Sequence, residues 1–202
     1  MTGAAADKQE LRRRMRATLR AVPADELSRA SQAICARLET WDLFGRAGAI
    51  LLFLPLPGEP DLGPLAARSI GAGRRICVPR VDWETGGLAC ARIRDVHTDA
   101  PPGRRGVPTP HADLDAVALA EIDCILVPGL SFDRFGGRLG RAGGFYDRLL
   151  ADPARRAPAI GVALEAQVVE AVPLEAHDQP VDGLVTESNL LLFEGFGRRR
   201  PI

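Results

Sequence analysis

The sequence predicts an α/β domain in which helices pack on a mostly parallel sheet. Several unbroken apolar runs are bounded by glycine or proline, a pattern typical of strands that are buried on both faces. Segments with helical spacing of apolar residues lie between some of these runs, and this alternation favours a parallel sheet. The chain has 202 residues and is 46% hydrophobic, which suits a single globular domain spanning residues 1–202.

Two helices are predicted at the start of the chain. Asp7 can cap the first turn of one helix, with Glu10 three residues later, and an apolar stripe follows at helical spacing. A second helix is predicted over residues 24–41, directly after Pro23. The stripe of the first helix comprises Leu11, Met15, Leu19 and Val22.

The first strand is predicted in the run "AGAILLFLPL" at residues 47–56, which ends at two prolines. Further helices are predicted near residues 61–70 and 144–152, because apolar side chains recur there at a spacing of four. The other predicted strands are "RRICVPRV", "GLACARI", "IDCILVPG", "APAIGVAL" and "VDGLVTESNLLLF".

The charge and composition of the chain argue against nucleic acid and membranes as binding partners. Acidic and basic residues number 26 each, so no net field attracts the chain to nucleic acid or to a lipid surface. No segment reaches the roughly 18 apolar residues of a membrane span, and the N-terminus lacks a signal-peptide pattern. We therefore expect a cytoplasmic monomer that acts on small molecules. The four cysteines lie far apart in sequence, which favours buried free thiols over a metal site.

One segment, "GGRLGRAGGFYDR" at residues 136–148, has the chemistry of an anion-binding loop. It follows a predicted strand and leads into a predicted helix, and its glycines allow backbone amides to approach a phosphate closely. Its arginines supply fixed charge, and their planar forks suit phosphate or carboxylate oxygens. Neither common nucleotide-binding motif is present, because no Lys-Ser or Lys-Thr pair follows and no G-x-G-x-x-G opens a first βαβ unit. A surface loop solubilised by arginine is the simpler alternative.

The run "VPGLSFDRFGGRLGRAGGFYDR" at residues 127–148 resembles the signature of the 5-formyltetrahydrofolate cyclo-ligase family. The resemblance extends to "KQELR" at residues 8–12, to "FLPLPGEPDL" at residues 53–62, and to the segment from "IGVALEAQ" to "VDGLVTE" at residues 160–187. Together these stretches cover nearly the whole chain.

The resemblance implies a single three-layer α/β/α domain, similar in architecture to sugar-phosphate isomerases and CoA transferases. It also implies an activity that requires ATP and Mg²⁺: 5-formyltetrahydrofolate closes to 5,10-methenyltetrahydrofolate, with release of ADP and phosphate. In the family mechanism the formyl oxygen attacks the γ-phosphate, and N10 then attacks the activated carbon. Such a reaction needs positioning and charge stabilisation rather than a side-chain nucleophile.

The resemblance assigns roles to individual residues of this chain. Lys8, the only lysine, shares a helical face with Arg12, so both can meet ATP phosphates. Arg141 and Tyr146 are the expected catalytic residues, and Arg141 also reaches the folate side. The remaining ATP-binding positions are Arg138, Leu139, Gly140, Ala142, Gly143, Gly144 and Phe145; the folate-binding positions are Leu54 and Glu59; and the magnesium ligands are Asp147 and Asp182.

Some of these assignments have simpler alternatives. Asp147 could merely stabilise a helix start, and Asp182 could merely shape the turn before a glycine. His177 and Asp178 are interpreted as loop-shaping residues without a catalytic role.

The chain departs from the family pattern at four positions. Ala142 replaces a glycine, so a positive φ at this residue would be strained. Leu62 replaces threonine, Thr109 replaces glutamate, and Phe145 replaces tyrosine. These changes leave open a paralogue that binds nucleotide or folate in a regulatory role, and an isomerase or CoA transferase of similar architecture is a further alternative.

Overall fold

The computed structural model describes residues 3–194 and contains alternating helices and strands. The ends of the predicted domain, residues 1–2 and 195–202, lie outside this range. The helices are α1 (Gly3–Ala21), α2 (Ala24–Glu39), α3 (Asp42–Arg46), α4 (Gly63–Gly71) and α5 (Phe145–Ala151). The strands are β1 (Ala49–Leu51), β2 (Arg75–Val81), β3 (Leu88–Ile93), β4 (Ala116–Val117), β5 (Cys124–Val127), β6 (Ser131–Phe132), β7 (Arg138–Leu139), β8 (Ala159–Val162), β9 (Gly183–Val185) and β10 (Leu190–Leu192).

Eight of the strands form one sheet in the order β10-β9-β8-β5-β1-β2-β3-β4. The central strands β9, β8, β5, β1 and β2 run parallel to one another, whereas β10, β3 and β4 are antiparallel additions at the two edges. The predicted α/β class with a mostly parallel sheet is therefore confirmed. Strands β6 and β7 form a separate antiparallel hairpin.

Side chains alternate between the two faces of the sheet, and each face has its own core. Ile50 of β1 belongs to the core that also holds the apolar faces of α1, α2, α3 and α4. Leu51, the next residue, belongs to the opposite core, where Leu149 and Leu150 of α5 pack. The result is three layers of unequal thickness. The four cysteines are buried and unbridged, as predicted.

Several local predictions need correction. Helix α1 begins at Gly3, so Asp7 lies inside the helix instead of capping it; the alanines before Asp7 are strong helix formers and extend it toward the N-terminus. The second predicted helix ends at Glu39, two residues earlier than expected, and the short helix α3 that follows was not predicted. The long loop expected after β5 contains the β6–β7 hairpin.

The carboxyl ends of β5, β1 and β2 meet at one edge of the sheet, because these strands are parallel neighbours. The loops that follow them carry most of the predicted site residues. In the described part of the chain, no helix has the length and apolar character needed to cross a membrane.

Candidate active site

A cavity of about 680 Å³ opens at the carboxyl edge of the sheet. Its wall includes every residue predicted to bind ATP or folate, together with Asp147. These residues are Lys8, Arg12, Leu54, Glu59, Arg138, Leu139, Gly140, Arg141, Ala142, Gly143, Gly144, Phe145, Tyr146 and Asp147. The segment at residues 175–178, which precedes β9, closes one side of the cavity.

The β6–β7 hairpin, which leads into the glycine-rich loop, is organised by the buried carboxylate of Asp133. One of its oxygens accepts hydrogen bonds from the backbone N–H groups of Phe135 (2.9 Å) and Gly137 (2.8 Å). The other accepts from the N–H of Val172 (2.9 Å), which ties the hairpin to the later chain. A side chain at residue 137 would collide with this carboxylate, since an added Cβ would lie 2.2 Å from its oxygen. The "FDRFGG" sequence therefore forms a rigid base for the loop.

The loop then turns sharply through three successive residues with positive φ. The φ angles are 145° at Ala142, 86° at Gly143 and 64° at Gly144, which caps α5. Among the residues that the structure describes, Ala142 is the only non-glycine with a positive φ. Helix α1 holds the loop from outside, because Arg12 and Arg16 donate hydrogen bonds to the carbonyl oxygens of Gly140 and Arg141, each at 3.1 Å.

Lys8 is only 4% exposed, and its ammonium group lies between two carboxylates of the segment before β9. Nζ is 2.6 Å from Glu175 and also contacts Asp178. Burial opposes the charged form of Lys8, but the hydrogen bonds and charges of Asp178 and Glu175 outweigh it and raise the pKa of the amine. Burial likewise opposes ionisation of Asp178, yet Lys8 and the N–H of Glu175 lower its pKa. Lys8 and Asp178 therefore remain charged at neutral pH.

Arg138, Asp147 and Tyr146 form a second buried cluster. Arg138 donates to Oδ1 of Asp147 at 2.7 Å, and its guanidinium lies 5.9 Å from the centre of the Tyr146 ring. The Tyr146 hydroxyl is buried and has no hydrogen-bond partner among the described residues. Burial, together with the nearby Glu59 carboxylate, raises the pKa of Tyr146 far above its usual range. The hydroxyl therefore stays protonated, and it can donate a hydrogen bond to a ligand in the cavity.

Arg141 and Glu59 connect the glycine-rich loop to the loop after β1. Nε of Arg141 lies 2.6 Å from Oε1 of Glu59, while the other carboxylate oxygen accepts from the N–H of Leu56 at 2.9 Å. The Glu59 side chain is 4% exposed and the Arg141 side chain is 32% exposed. The carboxylate is thus held in place, whereas the guanidinium retains access to the cavity.

Asp182 does not join this site. It directly precedes β9, and its N–H donates to the carbonyl of Ala159 at the start of β8, so it lies at the amino edge of the sheet. Its carboxylate accepts from Arg155 (3.0 Å) and from the N–H of Ala159 (2.8 Å). The structure therefore does not pair Asp182 with Asp147 around one ion, and the turn-shaping alternative describes its contacts better.

Three cavity residues were not predicted as ligand-binding. Glu175 carries no sequence signal, and Asp178 is interpreted from the sequence only as a loop-shaping residue. Trp83 follows β2 and lines an apolar wall with Val81 and Leu88. A large aromatic residue in a turn between two strands was the signal that could have identified it.

The fold and the site together define an α/β enzyme with an arginine-lined cavity at the carboxyl edge of its sheet. The chain belongs to the 5-formyltetrahydrofolate cyclo-ligase family, whose family model matches residues 4–187.

Individual relatives are similar over almost their full length. The chain is 29% identical to 5-formyltetrahydrofolate cyclo-ligase of Escherichia coli over 173 residues, which cover 85% of this chain and 95% of the relative. It is 30% identical to the Mycolicibacterium smegmatis protein of the same name, with coverages of 89% and 93%. The solution structure of Aquifex aeolicus 5,10-methenyltetrahydrofolate synthetase superposes with a TM-score of 0.81 at 31% identity, covering 93% of each chain. The Mycoplasma pneumoniae synthetase shares the fold, with a TM-score of 0.72 at 21% identity and coverages of 90% and 99%.

Proposed function

We propose that this enzyme closes 5-formyltetrahydrofolate to 5,10-methenyltetrahydrofolate at the expense of ATP, releasing ADP and phosphate. The observation that carries the proposal is the convergence of the glycine-rich loop, its cations and Glu59 on one cavity. A triphosphate needs the first two features, and a pterin with its donor-rich edge needs an acceptor such as a carboxylate.

The chemistry divides into two steps. The formyl oxygen attacks the γ-phosphorus, the bond to ADP breaks, and an iminophosphate forms at N5. N10 then attacks the formyl carbon and loses its proton to the departing phosphate or to water, the carbon–oxygen bond breaks, and phosphate leaves with both electrons of that bond. The protein has to align the formyl oxygen with the phosphorus and to offset charge that develops during transfer.

Arg141 is the residue best placed to serve both ligands. Its backbone belongs to the loop assigned to ATP, while its guanidinium reaches Glu59 on the side assigned to folate. Tyr146 lies beside Arg138 and Glu59 with a protonated hydroxyl, so it can donate to the formyl oxygen or to a phosphate oxygen. Lys8, Arg12 and Arg138 supply positive charge to the phosphates.

The residues of the cavity fit a magnesium ion at Asp147 better than at Asp182. Mg²⁺ commonly takes one or two carboxylates and completes its shell with water and phosphate oxygens, so Asp147 alone is sufficient. When bound, the ion would neutralise phosphate charge. Ligand atoms of Glu175, His177 and Asp178 also lie within 4.8 Å of one another, but Lys8 already supplies a cation to two of them.

The direct test is optical. Purified protein is mixed with 5-formyltetrahydrofolate, ATP and Mg²⁺, and the near-ultraviolet band of methenyltetrahydrofolate is followed, with reactions lacking ATP or containing EDTA as controls. We expect the band only in the complete mixture. Failure to form product at saturating substrates would refute the proposal, and binding of both ligands without turnover would instead indicate a non-catalytic binding protein.

Two variants test the site. Arg141→Ala and Asp147→Asn are each expected to lower turnover by at least about tenfold. Arg141→Ala removes a positive charge that stabilises the transferring phosphoryl group, and Asp147→Asn removes the carboxylate charge proposed to bind Mg²⁺ and paired with Arg138. Arg134→Ala is the matched control, since Arg134 forms only an exposed ion pair with Glu165. Folding is checked by circular dichroism. Near-wild-type rates in both site variants would contradict the assignment.

A further inference from the structure

Trp83 forms an aromatic wall of the cavity on a well-ordered turn. Its ring meets the Phe145 ring edge to face, with the centroids 5.4 Å apart. The turn that carries it is closed by Asp82, whose side chain accepts from the N–H groups of Glu84 (2.9 Å) and Thr85 (3.1 Å). The turn is also tied to α5, because Arg148 donates to the carbonyl of Gly86 at 2.8 Å. Trp83 is therefore held as a rigid surface for a flat ligand.

A cation stacks on this wall. Arg104 lies at the tip of the loop formed by residues 101–109, which is closed by backbone hydrogen bonds between Gly103 and Val107 and between Thr109 and Pro101. The guanidinium carbon of Arg104 is 5.1 Å from the centre of the Trp83 ring. Val107 of the same loop lines the cavity, so the cation stands at its rim.

Arg104 differs from the cations at the centre of the cavity. Lys8, Arg138 and Arg141 each pair with a carboxylate, and Arg12 donates to the carbonyl oxygen of Gly140. Among the side chains that the structure describes, no carboxylate forms an ion pair with Arg104. An exposed guanidinium stacked on an aromatic ring keeps its outward donors for an anionic ligand.

The order of the strands indicates which ligand reaches this wall. The loop assigned to ATP follows β5, Glu59 follows the neighbouring β1, and Trp83 follows β2, the next strand along the sheet. Glu59, Val81, Leu88 and Trp83 line the same cavity, so a ligand held at Glu59 can extend toward Trp83 within it. A ring followed by a carboxylate suits the pairing of Trp83 with Arg104. Formyltetrahydrofolate has this arrangement in its aminobenzoylglutamate arm, whereas the only anionic groups of ATP are its phosphates, which are assigned to the glycine-rich loop after β5.

Building on the proposed function, we propose that Trp83 and Arg104 form the subsite for the aminobenzoylglutamate arm of the substrate. Trp83 packs against the benzoyl ring, and Arg104 binds a carboxylate of the glutamate. Both are substrate-positioning residues, and neither takes part in the chemical steps.

Steady-state kinetics separate this role from a merely structural one. Trp83→Ala is expected to raise the KM for 5-formyltetrahydrofolate about tenfold and to leave kcat and the KM for ATP within about threefold, because it removes an aromatic contact made equally before and during the reaction. Trp83→Phe retains a ring and should show a smaller effect. Trp41→Phe is the matched control, since Trp41 packs in the core on the helical side of the sheet.

The role of Arg104 is tested by changing the substrate. Arg104→Gln should raise the KM for 5-formyltetrahydrofolate about fivefold, as expected for loss of a charge-assisted contact at an exposed site. The same variant should have an unchanged KM for 5-formyltetrahydropteroate, which lacks the glutamate. An equal effect on both substrates would overturn the assignment of Arg104.

Fluorescence gives a readout that is independent of turnover. The chain has two tryptophans, so Trp41→Phe leaves Trp83 as the sole reporter and Trp83→Phe leaves Trp41. Addition of p-aminobenzoylglutamate should quench Trp83 saturably and leave Trp41 unaffected. Quenching of Trp83 by ATP alone, with no response to p-aminobenzoylglutamate, would refute the subsite. If the wild-type protein forms methenyltetrahydrofolate but the kinetic and fluorescence effects are absent, the subsite is refuted and the proposed function stands. If p-aminobenzoylglutamate quenches Trp83 but no product forms, the proposed function is refuted and the subsite stands.

Discussion

Replacement of Ala142 by glycine is expected to stabilise this protein, although glycine usually has the opposite effect. The φ of Ala142 is 145°, a conformation that L-residues with a Cβ rarely adopt. Such strain costs about 1–3 kcal/mol, and glycine removes it. The greater conformational freedom of glycine in the unfolded chain lowers the free energy of unfolding by about 0.5–1 kcal/mol, which offsets part of this gain. The net expectation is a gain of about 1 kcal/mol, or about 2–4 °C in Tm for a chain of this size.

The measurement is thermal or urea unfolding of the two variants Ala142→Gly and Ala17→Gly beside the wild type. Ala17 is exposed in the middle of α1, where glycine lowers stability by about 1 kcal/mol, so the two substitutions should shift Tm in opposite directions. A fall in Tm for Ala142→Gly equal to that for Ala17→Gly would refute the strain argument. It would also mean that the methyl group of Ala142 makes contacts worth more than the strain.

Two further predictions concern charged groups. Glu59→Gln should raise the KM for 5-formyltetrahydrofolate by roughly 10- to 100-fold, because a charge-assisted hydrogen bond is worth about 1.5–3 kcal/mol. The control is Glu39→Gln, in the exposed pair with Arg68, which should change neither the KM for 5-formyltetrahydrofolate nor the KM for ATP. An unchanged KM for 5-formyltetrahydrofolate in Glu59→Gln would contradict the role of Glu59. The lowered pKa of Asp178 means that its stabilising contribution is present above its ordinary value of 3.8 and is lost as pH falls through the folded-state value. In urea unfolding, Asp178→Asn should therefore be less stable than wild type at neutral pH, and the difference should shrink as the pH falls below 3.8 and through the lowered folded-state pKa. A difference independent of pH would count against the Lys8 contact.

The central sheet could be predicted from the sequence because its strands are buried on both faces and therefore appear as uninterrupted apolar runs. The apolar run at residues 124–129 contains β5, and the run at residues 157–164 contains β8. The β6–β7 hairpin could not be predicted in the same way, because each of its strands has two residues and its pairing depends on the long-range contacts of Asp133. Antiparallel pairing at the edges likewise depends on tertiary contacts rather than on local pattern.

The candidate site likewise combines residues that the sequence identified with residues that only the folded structure brings together. The loop at residues 136–148 was predicted as an anion-binding segment because its glycines and arginines lie within one short stretch of sequence, so their combined chemistry is visible without the fold. Glu175 became part of the site only through folding, which brings it within 2.6 Å of Lys8 across more than 160 residues of sequence. Asp182 shows the converse, since a carboxylate before Gly183 gives no indication of which edge of the sheet it lies at, and in the structure it accepts from Arg155 and from the N–H of Ala159. Sequence conveys the chemistry of a residue, whereas strand direction decides whether that chemistry reaches the cavity.

The charge pairs of the cavity imply that its ligands assist one another. Under the proposed function, phosphate oxygens compete with Asp147 for Arg138 and with Glu59 for Arg141. A nucleotide bound alone would leave these largely buried carboxylates without their partners, which is costly. Pterin donors can compensate Glu59, and a magnesium ion can compensate Asp147. Because each ligand removes a penalty that another creates, the affinity for ATP should be higher when folate is bound, and by linkage the affinity for folate should rise by the same factor when ATP is bound.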